Sequence, residues 1–532
     1  MAIQARRITR TIPERWLRLL PLSLFIFVTL GPLLAVLVDL VPHLSQQPEW
    51  LQLAAPQGRR LALLARSIAL AVAVSAATMS LGTLGALALL TWNPRWTSRA
   101  WPVLLVTAAI PPYIHALAWT ETLAWANRLL SNAGLARLAA QGAAASAWVQ
   151  FMAYLPLGIG LALLSLHAVD PELVEMAQVL GDDRALWGRV VLPLARPYLL
   201  AGVGVLFTLS IADYSIPSLF EWNVYALEIF AEFSASAEPG RAFLLALPLL
   251  ALTTAVILAS QGRLRHAAIR PPFRPRPLAN PIRWPAWLQH LQRLAVVLLV
   301  LQVAVPLISL VLLTGDWQSF LTANQRALPE IGFSFLVAFS AAGLCLLLAS
   351  LLASELAHGA WRRATWALVA LPLAVPAPLV GIGLALIWNR PILESFYMSP
   401  AMPVLAAAAR FAPPAALLLA AHRLRTDPAL LEAAKLLPVK TWRKGLLIDF
   451  PLAAPGLAAA GALTFLLSLQ ELGATLIVIP PGHATLTLRI YNFLHYGAPQ
   501  VVAGLCLMLA LLVILFGGLA AFGWARWPEG AT

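Results

Sequence analysis

Long apolar runs separated by short polar segments set the pattern of this chain. The runs lie near 19–41, 66–91, 100–122, 143–167, 195–219 and 242–260, then near 294–314, 331–355, 364–388, 401–421, 453–478 and 500–524. At 1.5 Å per residue, a helix needs about 20 mainly apolar residues to cross the ~30 Å hydrocarbon core of a bilayer. The pattern therefore predicts an all-α polytopic membrane protein with about twelve transmembrane helices, in two pseudo-symmetric halves of six. The first run follows a basic stretch, MAIQARRITRTIPERWLR. It is longer than a signal-peptide core and lacks an Ala-x-Ala-like end, so it reads as a retained helix.

Between the fourth and fifth runs of each half lies a polar island. The first copy, from Glu175, reads EMAQVLGDDRALWGRVVLPLARP, and the second, from Glu432, reads EAAKLLPVKTWRKGLLIDFPLAAP. In both, a Glu precedes small residues (Ala177; Ala433 and Ala434) and a backbone breaker sits six positions on, Gly181 or Pro438. A basic segment with a Trp follows (Trp187, Trp442), then Pro193 or Pro451 and a second proline four residues later. Twenty residues past the first proline stands an acid, Asp213 or Glu471, with Ser210 and Ser468 also aligned. The copies lie 258 residues apart, close to half of the 532-residue chain. Self-similarity at a fixed shift marks an internal duplication.

Glu-Ala-Ala, three residues, Gly, then about nine residues to an apolar-x-Leu-Pro resembles the cytoplasmic coupling loop of ABC-type importer permeases. The first copy is one residue short of that pattern and has Met176 for an Ala; the second has Pro438 for the Gly and Phe450 for the Leu. Two such loops in one chain resemble the fused permeases of the ferric-iron and thiamine uptake systems, over essentially the whole length. The resemblance implies a type I importer fold in a bacterial inner membrane, with both termini cytoplasmic. It implies two ATP-binding cassette subunits docked on loops 169–197 and 425–455, and an external solute-binding protein that delivers the solute. Ferric iron is the solute it implies first, with thiamine or a phosphonate as alternatives. ATP hydrolysis would fall to the partner subunits.

Composition agrees with a bilayer as solvent: 60% hydrophobic residues, 11% charged and a mean hydropathy of +0.80 exclude an ordinary soluble domain. With the N-terminus inside, cytoplasmic segments carry about 26 Lys and Arg and external ones about 9, which follows the positive-inside rule. The +13 charge is thus that of basic cytoplasmic loops, with no soluble domain to carry a nucleic-acid site. The expected divisions are a basic tail (1–18), a first half (19–260), a Pro/Arg-rich linker (261–293), a second half (294–524) and a short tail (525–532). The linker's prolines oppose a helix and its arginines suit an anionic leaflet. External segments 44–65, 122–142, 220–241, 315–330 and 479–499 are long enough to receive a soluble partner.

Candidate chemistry is sparse. No Gly-x-x-x-x-Gly-Lys-Ser/Thr loop occurs, the histidines form no metal-ligand spacing, and no nucleophile–base set is apparent, so no catalytic, metal or cofactor residue is assigned. The Gly-x-Gly pairs at Gly158, Gly202 and Gly381, and the two cysteines, Cys345 and Cys506, lie in apolar runs and read as packing residues. The repeated loop suits mechanical coupling: Glu-Ala-Ala favours helix, small side chains let one face lie flush in a groove, and Gly181 or Pro438 breaks the helix. Three charges stand inside spans. Asp213 and Glu471, about 18 residues into their helices, either line a pathway or serve the helix end. Arg410 either snorkels or finds a carboxylate, for which Glu471 is a candidate. Pro111–Pro112 and Pro376/Pro378 interrupt the third and ninth spans, as pathway-flanking breaks or as simple kinks. An ion-coupled secondary transporter is the alternative of another class; it needs midplane carboxylates, of which the chain has few.

Overall fold

The computed structural model describes residues 14–92, 100, 103–170, 172–174, 176, 186–269, 284–358, 362–436, 441–496 and 498–525. No strand occurs among them. In the first half, α1 (Glu14–Thr29), α2 (Gly31–Gln46), α3 (Gly58–Trp92), α4 (Pro112–Asn132), α5 (Gly142–His167) and α6 (Leu192–Ala212) lead into α7 (Ser215–Leu219), α8 (Tyr225–Ser236) and α9 (Pro239–Ile269). The second half repeats the plan with α10 (Ala286–Thr314), α11 (Trp317–Gln325), α12 (Leu328–His358), α13 (Arg362–Ala370), α14 (Ala377–Trp388), α15 (Ala401–Arg425) and α16 (Pro428–Leu436). It closes with α17 (Phe450–Leu469), α18 (Thr475–Val478), α19 (Leu486–Tyr496) and α20 (Pro499–Ala525).

Among the described residues, 9 helices are long and apolar enough to cross a membrane, or 11 when two bent pairs are each taken as one span. The chain is therefore a multi-pass, all-α membrane protein. The count differs from twelve at 100–122, where a helical stretch over 103–108 stops and α4 begins only after Pro111. The same break recurs in the second half, where α14 starts after Pro376 and turns by 96° from the preceding helix. Proline removes a donor and disfavours helix in the residue before it, so each Pro pair ends one helix and opens another. The first run is also bent, by 67°, between α1 and α2.

The first helices of each half exchange sides. Helix α2 packs on α14, and α1 on α12 and α15, all in the second half; α10 in turn packs on α3, α4 and α5 of the first. Phe25 of α1 is buried in the second half's core, and Trp284 and Leu298 in the first half's. Gly383 of α14 lies so close to the Pro32 backbone that no side chain would fit. Small residues allow such backbone approach, which matters where lipid offers no hydrophobic drive between helices. Cys345 and Cys506 are buried and unpaired.

Short helices α8 and α19 are tied down by matching hydrogen bonds. The Tyr225 amide donates to Ser67 Oγ of α3 at 2.8 Å, and the Leu486 amide donates to Ser334 Oγ of α12 at 2.7 Å. Ion pairs reinforce both with opposite polarity: Arg59–Glu228 (2.7 Å) and Arg60–Glu232 (3.0 Å) against Glu330–Arg489. Helix α11 is capped by Asp316, which accepts from the Ser319 amide at 2.6 Å; that hydrogen bond holds its carboxyl below the usual range.

Candidate functional site

The repeated island resolves into the same local design in both halves. Each begins with an Asp-Pro pair, Asp170–Pro171 and Asp427–Pro428. Asp427 Oδ1 accepts from the Ala429 amide at 2.8 Å, and Asp170 Oδ1 from the Glu172 amide at 3.1 Å. An Asp cap followed by Pro is a helix-start signal, since Asp takes an orphan amide and Pro lacks the one it would leave unpaired. Sequence reasoning began the motif at the Glu and passed over these two caps. Glu432 and Ala433 stand exposed on α16, which also carries Ala434. Glu175, Ala177, Gly181 and Pro438 lie outside the described residues.

Pro193 and Pro451 each take the second position of a long helix, α6 and α17. A π-helical turn leads into each, Leu186–Val191 and Gly445–Asp449. A proline ring presses on the carbonyl four residues back and donates nothing to it, so a wider turn at that point relieves the contact. The turns differ in packing: Leu186, Trp187 and Val191 are buried in the first, whereas none of the residues of the second is.

The acids one span further on also meet matching duties. Asp213 closes α6; its Oδ1 accepts from the Ser215 amide (2.9 Å) and hydroxyl (2.6 Å) at the start of α7. Its Oδ2 accepts from Gln150 Nε2 at 3.1 Å, and Gln150 Oε1 accepts from Ser210 Oγ at 2.6 Å. Glu471 follows α17 and accepts from the amides of Ala474 and Thr475, each at 2.9 Å, and from the Thr475 hydroxyl, at the start of α18. Arg410 of α15 completes it with a 2.7 Å ion pair. The Arg410 side chain is 31% exposed and that of Glu471 1%. Each carboxylate thus caps a helix break inside the protein. Gln150, missed in the sequence because amides carry no charge signal, stands to Asp213 as Arg410 stands to Glu471.

The two stations face each other across the halves. A side chain added at Gly473 would run into Ala377 Cβ at 2.6 Å and come within 3.8 Å of the Tyr214 hydroxyl and 3.9 Å of Glu471 Oε1. Between the halves, α4 and α10 also carry a Thr122–Ser309 hydrogen bond of 2.8 Å. Seven residues earlier on each helix stand His115 and Gln302, both fully buried and without side-chain hydrogen-bond partners among the described residues. No cluster of three or more metal-ligating side chains occurs among the described residues.

No protein-family model matches the chain. It is 32% identical over 160 residues to a molybdate/tungstate transport system permease protein of Thermococcus kodakarensis, covering 29% of this chain and 62% of that protein. It is 28% identical over 149 residues to a putative 2-aminoethylphosphonate transport system permease protein of Salmonella typhimurium, covering 27% of this chain and 54% of the relative. The chain thus spans less than two thirds of the length of both. A thiamine transport system permease protein of Brucella suis biovar 1 is 27% identical over 380 residues, 68% of each chain. That match is longer than either half and so runs across the central linker. The chain is thus similar to transport-system permease proteins, in line with the resemblance of its loops to those of ABC importer permeases.

Proposed function

We propose that this chain is the membrane-spanning part of a binding-protein-dependent ABC importer, both halves fused, forming the translocation pathway for a small solute. The observation that carries this reading is the duplicated loop: the Asp-Pro cap recurs 257 residues on, and the widened turn with its proline 258 residues on. An ATPase pair presents two similar grooves, and a duplicated loop offers each one a matching insert. Glu175, Ala177, Gly181 and Pro193 serve one groove, and Glu432, Ala433, Ala434, Pro438 and Pro451 the other. Both termini and the 261–293 linker then lie on the ATPase side of the bacterial inner membrane, and an external binding protein meets the opposite face. Hydrolysis of ATP belongs to the partner subunits, and this chain performs no covalent step.

The sequence resemblance points to ferric iron, whereas the relatives are named for molybdate/tungstate, 2-aminoethylphosphonate and thiamine. The substrate class proposed is accordingly a small solute handed over by the binding protein, with ferric iron tested beside those three. The test is uptake into proteoliposomes holding the chain, its copurifying ATPase and the loaded binding protein. Uptake should require ATP inside the vesicle or wherever the ATPase faces. Uptake that persists without ATP and stops when an ion gradient is collapsed would replace this reading with an ion-coupled transporter. Glu175→Ala and Glu432→Ala should each lower solute-stimulated ATP turnover, by clearly different factors, since Gly181-Asp182-Asp183 and Pro438-Val439-Lys440 differ in charge and backbone freedom.

A further inference from the structure

Three arginines meet where the two halves join, at the linker end of α9. Helix α9 of the first half packs along α13 of the second. Their contacts step backward along one helix as they step forward along the other. Thr253 Oγ1 donates to the Ala374 carbonyl at 2.9 Å, Ile257 is buried with Ala370, and Arg265 Cζ lies 5.7 Å from the centre of the Trp366 ring. The helices are therefore antiparallel, and the same register carries Arg265 to Arg362 and Arg363 at the start of α13. Arg265 lies within electrostatic reach of both. Trp366 is buried, with its indole N–H on the Leu356 carbonyl at 2.8 Å, and forms a fixed floor for the Arg265 guanidinium.

The surrounding chain does not neutralise these charges. Arg362 gives one N–H to the Ala357 carbonyl at 3.3 Å. Among the described residues, Arg265 and Arg363 make no side-chain hydrogen bond, and none of the three makes an ion pair. No Asp or Glu occurs over 239–315 or over 356–393. Glu355, on α12, stands outside any ion pair among the described residues. Like charges drawn from the two halves push this seam apart unless an anion from outside sits between them. One face of α9 shows where that anion comes from. Ala251, Leu258 and Arg265 follow at seven-residue intervals and so share a face, and Ala251, Ala255, Leu258 and Ala259 are exposed. The helix thus offers apolar surface to acyl chains up to the level of the guanidinium.

We infer that one anionic phospholipid bridges the halves at this seam, its phosphate shared by Arg265, Arg362 and Arg363 and an acyl chain lying along Leu258 and Ala251. The guanidinium is suited to this, since its planar fork of N–H donors takes phosphate oxygens through charge-assisted hydrogen bonds. Basic pockets between spanning helices select anionic headgroups for the same reason. All three arginines lie outside loops 169–197 and 425–455, which the proposed function assigns to the ATPase. The site needs only a bilayer and stands whether or not the chain is an importer.

The test is native mass spectrometry and thermal unfolding of the full chain in micelles doped with phosphatidylglycerol or with phosphatidylcholine. One phosphatidylglycerol should be retained per chain, at least about tenfold over phosphatidylcholine, and Arg265→Gln and Arg363→Gln should each remove most of that preference. Arg363 is exposed and breaks no contact when replaced, so its variant keeps the test open even where Arg265→Gln disturbs the Trp366 floor. In phosphatidylcholine, Arg363→Gln should melt no lower than the parent, because it relieves repulsion. In phosphatidylglycerol the parent should melt higher than the variant, because a ligand of the folded state stabilises it. Equal retention of the two lipids, a preference untouched by both variants, displacement by millimolar orthophosphate, or one melting order in both lipids would each overturn the site. Loss of the copurifying ATPase from Arg363→Gln with lipid retention intact would overturn it too, and would hand the cluster to a protein partner.

Discussion

The turn before Pro193 and the turn before Pro451 have the same backbone but are buried to different extents. Leu186, Trp187 and Val191 face inward against the first half's core, which also holds Trp284 from beyond the linker. In the matching turn no residue is buried, and Leu446 and Leu447 stand exposed, as Gly188 and Arg189 do at the same positions of the first. Proline spacing sets the shape of the turn; the side chains around it decide what the turn is attached to. The acid stations teach the same lesson. Asp213 and Glu471 both cap a helix break, but one leans on the neutral amide of Gln150 and the other on the charge of Arg410. Duplication conserves the geometry of a part more readily than the chemistry that braces it.

The largest effect that would sharpen this contrast is at Trp187. Trp187→Ala should destabilise the detergent-solubilised chain by about 3–5 kcal/mol, as for other buried aromatic truncations, while Leu447→Ala stays within about 0.5 kcal/mol. Trp187→Phe should cost far less, since the indole N–H has no hydrogen-bond partner among the described residues. Thermal unfolding of the three variants checks this; equal losses at Trp187 and Leu447 would erase the comparison.

Next comes Glu471→Ala, which strips two helix-start amides and Arg410 of their acceptor together. A cost of about 2–4 kcal/mol is expected, below that of a fully buried broken pair because Arg410 is partly exposed. Asp213→Ala should cost less, since it strands an amide side chain rather than a cation. Arg410→Gln, which gives Glu471 a partner of Gln150's kind, should retain more uptake than Arg410→Ala. If Arg410→Ala transports as well as the parent, the ion pair is incidental to transport.

The serine ties rank third. Ser67→Ala and Ser334→Ala each leave a buried amide unpaired, for about 1–3 kcal/mol apiece, and the two losses should match because the two bonds do. Smallest are the Asp caps: Asp170→Ala and Asp427→Ala should each cost about 1 kcal/mol, read as fraying of the loop helices by hydrogen exchange.

Much of this was legible in the sequence, for identifiable reasons. Spans announce themselves because lipid demands continuous apolar surface, and the duplication showed because its markers, Pro193 and Pro451 or Asp213 and Glu471, keep one shift. Arg410 was also readable, since a charge among alanines needs a partner and few carboxylates were in reach. What could not be read depends on neighbours distant in sequence. The third span was expected to cross with an interruption, and Pro111 marked its break without telling where the helix would resume. Gln150 is one polar residue in an apolar helix until Asp213 is folded against it. The exchange of first helices leaves no local trace, because α2 and α10 look alike whichever half they cover.

That exchange sets a timetable for synthesis. Helix α2 ends at Gln46, and its partner α14 begins at Ala377. At about 5–20 residues per second the ribosome needs roughly 15–65 s to make the intervening chain. For that interval the first helices sit in the bilayer with the face meant for α14 and α15 turned to lipid or to whatever attends insertion. The first half cannot close early either, since α10 comes from beyond the linker. Neither half is then a folding unit in its own right, and the Pro/Arg-rich linker serves as the tether that keeps each half's missing wall within reach while the other is being built.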